Sequence, residues 1–142
     1  MDKEFIEKIQ KRVVDLLLTL SDNLQVASKD QCSEITRLAG CWILLEQPGC
    51  GVRILKGKFS DRSAHDVLII ECNKELFLID PTIWQIFPDN NSIFIGSVGN
   101  IQEALDLLGN KYGGSWKVAE DLYKCDNDSQ DKLLATIKSN RK

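Results

Sequence analysis

A chain of 142 residues, 43% of them hydrophobic, can build one domain with its own core and is too short for two of ordinary size. Its 18 basic and 21 acidic side chains give a formal net charge of -3, and no Lys/Arg cluster interleaved with aromatics offers phosphates a local field. No run approaches the roughly 18 apolar residues of a membrane span, and the charged start Met1-Asp2-Lys3-Glu4 is unlike a secretory leader. The expectation is a cytoplasmic protein with neither a nucleic-acid nor a membrane partner.

Phe5, Ile6, Ile9, Val13, Leu16, Leu17 and Leu20 recur at intervals of three and four, which predicts a helix over Lys3–Leu20 docked by one face. Ser21-Asp22-Asn23 ends it. A second helix is expected from Ser28 or Asp30 to about Glu46, stopped by Pro48-Gly49. Ser28 with Gln31 three residues on fits a capping box, and Asp30 is the alternative N-cap. Cys32, Ile35, Ala39, Trp42 and Ile43 share one face, so Cys32 lies in the first turn. Val52–Phe59 alternates as a strand and Lys58–Ala64 is a polar loop.

Val67–Glu71 and Leu76–Asp80 are nearly continuous apolar runs joined by Cys72-Asn73-Lys74-Glu75, a hairpin of central strands covered on both faces. At Asp80-Pro81 the chain must leave the sheet, because proline cannot donate to a central ladder. Ile83–Phe87 is expected as a short edge strand, Pro88-Asp89-Asn90-Asn91 as a turn and Ile93–Val98 as a further strand. Asn100 should cap a helix through Leu108 that Gly109 stops. Trp116–Val118 pairs briefly. Asp126–Lys142 forms a last helix with Asp128 or Ser129 as cap, a stripe of Leu133, Leu134 and Ile137, and a basic end. The sum is an α+β domain of helices on an antiparallel sheet.

Three residues stand out for chemistry. Cys32 opens a helix, where backbone N–H groups favour a thiolate. His65, the only histidine, opens one strand, and Asp80 closes the next. A thiol needs a base to become a nucleophile, and an imidazole needs a carboxylate to fix its tautomer and stabilise its cation. Asp66, the competing carboxylate, should point to the opposite face of its strand from His65. The remaining cysteines, Cys41, Cys50, Cys72 and Cys125, read as small apolar fillers in a reducing compartment. With one histidine and no C-x-x-C pair, neither a metal site nor a cofactor is expected.

The pieces Asp30-Gln31-Cys32-Ser33-Glu34, Ala64-His65-Asp66-Val67-Leu68-Ile69-Ile70 and Leu78-Ile79-Asp80-Pro81-Thr82, in that order, resemble the papain-like superfamily. The likeness is to its compact, circularly related members: transglutaminase-like proteins, arylamine N-acetyltransferases and papain-fold effector and toxin domains. It covers roughly residues 25–87. Cys32 lacks the neighbouring tryptophan of many transglutaminase-like enzymes, and the chain lacks the glycine-rich approach to the cysteine of the acetyltransferases. The resemblance implies a single papain-like domain over 1–142, with a catalytic core of about 25–98 and helical additions at 3–20 and 100–140. It also implies a Cys32-His65-Asp80 triad acting as peptidase, deamidase, transglutaminase or acyltransferase on a protein or peptide, with a cognate inhibitor or immunity protein as a further partner. Papain-type peptidases carry a glutamine ahead of the cysteine that helps form the oxyanion hole, which makes Gln25 a candidate and Asn23 a weaker one, beside the backbone N–H of Cys32. The competing reading is an inactive α+β interaction or immunity-type protein.

Overall fold

The computed structural model describes residues 3–29, 31–122 and 126–139. Its centre is a hairpin of β2 (Ala64–Cys72) and β3 (Glu75–Asp80). Asn73 and Lys74 both take positive φ, 52° and 69°, the two-residue turn whose twist matches that of the flanking strands. β1 (Gly51–Lys58) pairs with the other side of β2, from Gly51 opposite Glu71 to Lys58 opposite Ala64. Beyond β1 lies β5 (Ser115–Leu122), and beyond β3 lies β4 (Phe94–Val98). The order is β4-β3-β2-β1-β5 with every pair antiparallel.

Alternation along β2 sends its side chains into two cores. Leu68 and Ile70, with Val52 and Ile54 of β1, pack under α1 (Lys3–Leu20), α3 (Cys32–Glu46) and α5 (Asn127–Ser139). Val67 and Ile69, with Leu55 and Leu78, meet Ala104 and Leu108 of α4 (Ile101–Tyr112) on the other face. The expectation of central strands covered on both sides holds, and so does the N-terminal helix, which buries Phe5, Ile9, Val13 and Leu17.

Several expected boundaries move. Asn23 caps a short helix, α2 (Leu24–Ser28), by accepting from Gln25 N and Val26 N, so Ser28 ends a helix instead of starting one. α3 begins at Cys32 behind Gln31, whose side chain makes no capping bond; Asp30 lies outside the described residues. Ile83–Phe87 is not an edge strand, because β4 takes the place beside β3; the segment forms a 3-10 turn, Ile83–Gln85, that buries Ile83 and Trp84. α4 continues through Gly109 to Tyr112 and stops at Gly113 and Gly114, both at φ 79°, the left-handed region open to glycine. β5 is longer than the expected Trp116–Val118. In α5 the cap is Asp126, whose Oδ1 accepts from Ser129 N at 2.8 Å; the basic end at 140–142 is outside the described residues.

The reading of the cysteines as fillers is overturned. With Gly51 opposite Glu71, Cys50 and Cys72 fall directly across the ladder, their Cα atoms 4.6 Å apart, and they form a disulfide. Cys41 is disulfide-bonded too. Cys125 lies outside the described residues, among which Cys32 is the one free thiol.

Candidate active site

Pairing between β2 and β3 begins at Leu68 opposite Ile79, so the first residues of β2 have no neighbour on that side. β3 reaches Asp80 and Pro81 turns it away. His65 and Asp80 meet at this opening, His65 Nε2 2.8 Å from Asp80 Oδ2, both residues at 0% exposure. Asp80 Oδ1 accepts from Thr82 N at 3.0 Å, and Tyr112 donates its hydroxyl to Oδ2 at 2.5 Å. The other ring nitrogen, His65 Nδ1, lies 3.0 Å from Gln85 Oε1, while Gln85 Nε2 donates to Ala64 O at 3.3 Å. Cys32, at the start of α3, acts on the imidazole as well, adding to the upward shift of its pKa. Asp80 holds Nε2 and Gln85 lies at Nδ1.

Burial alone would push the His65 pKa down. The charge and hydrogen bond of Asp80 oppose it, Cys32 adds to the upward pull, and the balance is raised to about 10, which favours the imidazolium. Burial, then the Asp80 charge, pushes the Tyr112 hydroxyl upward, so it stays a neutral donor.

Aromatic rings enclose the imidazole. Tyr112 lies over it with centroids 5.7 Å apart and planes at 29°, and Trp116 meets it edge-on at 6.4 Å. The sheet register explains the approach of Trp116: Gly57 stands opposite both His65 and Trp116, and a Cβ on Gly57 would lie 2.5 Å from the indole. A side chain at 57 would occupy the space that the indole fills.

Asp66 behaves as expected and faces away from His65, toward Arg37 of α3 at 3.3 Å and Lys56 at 3.7 Å. The oxyanion candidates are not drawn in. Asn23 is exposed with Oδ1 engaged in capping α2, Gln25 is exposed, and among the described residues no hydrogen bond joins either side chain to Cys32, His65 or Asp80. The N–H of Cys32, at the first position of a helix without a side-chain cap, remains a donor suited to an oxyanion. Buried side-chain atoms without a hydrogen bond recur nearby in sequence: Ser28 Oγ, Gln31 Oε1, Glu34 Oε2, Thr82 Oγ1 and Asp66 Oδ1, the last of which still pairs with Lys56 at 3.7 Å. Each belongs to a residue within four positions of Cys32, His65 or Asp80.

Sequence reasoning missed Gln85, Tyr112 and Trp116. Tyr112 and Trp116 lie beyond the expected core of about 25–98, so the site extends through α4 into β5. Among the described residues no cluster of His, Cys, Asp and Glu could hold a metal ion, and no helix is long and apolar enough to cross a membrane. No protein-family model, curated protein or solved structure matches this chain.

Proposed function

We propose that this chain is a papain-like, transglutaminase-like cysteine enzyme that transfers or hydrolyses acyl groups on a protein substrate through Cys32, His65 and Asp80. One observation carries the reading: the one free thiol among the described residues acts on an imidazole whose Nε2 is held by a buried carboxylate.

In the proposed reaction the Cys32 thiolate forms a bond to a carbonyl carbon, and the carbonyl oxygen becomes an oxyanion that the Cys32 N–H holds. Collapse breaks the carbon–nitrogen bond, the His65 imidazolium gives its proton to the departing amine or ammonia, and a thioester remains. His65, now neutral, takes a proton from water as the water attacks the thioester. The acid leaves and the thiolate returns. An amine in place of water makes the same cycle a transglutamination. Asp80 keeps the imidazole oriented and stabilises its cation throughout.

The disulfides suit an oxidising compartment, which favours an exported toxin or effector domain, with an inhibitor or immunity protein as partner, over a cytoplasmic enzyme. The test is mass spectrometry of candidate target proteins incubated with wild type or Cys32→Ala. Cleavage, conversion of glutamine to glutamate or a new cross-link that only the wild type produces is the expected result. Identical outcomes with both, together with ordinary reactivity of the Cys32 thiol, overturn the proposal in favour of an inactive α+β interaction or immunity-type protein.

A further inference from the structure

Tyr112, the last residue of α4, reaches the triad through one atom. Its hydroxyl and His65 Nε2 converge on the same oxygen, Asp80 Oδ2, at 2.5 and 2.8 Å. The other carboxylate oxygen is held by Thr82 N at 3.0 Å, so the carboxylate cannot rotate without losing a bond. The phenol ring is itself fixed: it stacks on the imidazole and is met edge-on by Phe87 at 5.1 Å and Trp116 at 5.5 Å. Gly113 and Gly114 turn the chain immediately after it.

We infer that Tyr112 is a positioning residue of the triad, whose hydroxyl takes up part of the Asp80 charge and so leaves the His65 imidazolium readier to give up its proton. The carboxylate shares its acceptor strength between two donors, and whatever the phenol takes is lost to the imidazole. The titratable groups facing His65 are Asp80 from β3, Cys32 from α3 and Tyr112 from α4; Gln85 and Trp116 are neutral, and Asp66 faces the opposite side with Arg37 and Lys56. The catalytic value of this arrangement rests on the function proposed above. The effect on His65 does not, because it exists whether or not Cys32 attacks a substrate.

His65 is the only histidine, so its imidazole signals can be followed by NMR without assignment from other rings. Tyr112→Phe keeps the ring and removes the donor. The His65 titration midpoint should rise by about half a unit to one unit, the size of losing one competing hydrogen bond at a carboxylate. Ring-fluorinated tyrosine, incorporated in a Tyr123→Phe background, makes the Tyr112 phenol a stronger donor with no atom lost; the midpoint should then fall. That arm decides the matter even if Tyr112→Phe does not fold. A midpoint that stays put or moves the other way overturns the inference. If His65 responds as expected while Cys32 alkylates no faster than an ordinary thiol, the role of Tyr112 stands and the catalytic reading falls.

Discussion

The two ends of β2 are built on opposite plans. At the Cys72 end the strand is paired on both sides, to Glu75 of β3 through the ladder and to Cys50 ahead of β1 through a covalent bond. At the His65 end it is paired on the β1 side alone, and the opening holds an imidazole, a buried carboxylate and a phenol. Seven residues separate the two ends, about 23 Å at ~3.3 Å per residue. The contrast shows how a small domain accommodates a polar interior: one end of the central hairpin is cross-linked, and the groups that are costly to bury are gathered where the sheet has already been released by Pro81.

The comparison is broken most severely at the His65 end. Cys32→Ala should abolish activity, and His65→Ala should slow iodoacetamide alkylation of Cys32 at pH 6 by about 100-fold, the usual worth of a general base or charge partner. Quantitative mass spectrometry of the alkylated peptide reads this directly, and equal rates in wild type and His65→Ala would remove the activated thiol. At the other end, the paired change Cys50→Ser with Cys72→Ser should cost about 3 kcal/mol of stability by urea unfolding, from a bridge spanning 22 residues. It should leave the Cys32 alkylation rate within about twofold of wild type, since the two ends share no partner. A large change in that rate would mean that the ends are not independent.

A smaller perturbation acts at the His65 end, through the row His65, Gly57, Trp116. In Gly57→Ala the new methyl would meet an indole held by Phe59, Tyr112 and His65. The expected cost is about 2 kcal/mol, with altered near-ultraviolet dichroism as the indole shifts. A stable variant with an unchanged spectrum would show that the ring has room to spare.

The degree to which these regions were legible in the sequence follows from the kind of signal each carries. The hairpin and α1 were readable because apolar runs and helical spacing are dense there, and Cys32, His65 and Asp80 stood out by residue type and order. Tyr112 and Trp116 did not, since an aromatic at the end of an amphipathic helix or on an edge strand looks like ordinary packing; only the register that sets Gly57 between His65 and Trp116 shows otherwise. Gln85 was hidden by reading Ile83–Phe87 as a strand; it is from the 3-10 turn Ile83–Gln85 that its amide reaches His65 and Ala64 O. The Cys50–Cys72 bridge required the same register knowledge, because nothing in a spacing of 22 residues distinguishes a cross-strand pair from two fillers.

One further effect separates a charged imidazole from a merely packed one. His65 is raised from its ordinary 6.5 to about 10 in the folded chain, so the folded state binds the proton more tightly than the unfolded one. Its contribution to stability is therefore complete below pH 6.5 and is lost as pH rises through 10. In that window stability should fall by at most about 1.4 kcal/mol per pH unit from this group. Urea midpoints measured between pH 6 and 10 should decline in wild type and decline less in His65→Gln, which keeps a hydrogen-bonding side chain beside Asp80 without a titrating charge. Parallel declines in the two proteins would mean that His65 folds as a neutral ring, against the pull of the Asp80 carboxylate at the His65 end of β2.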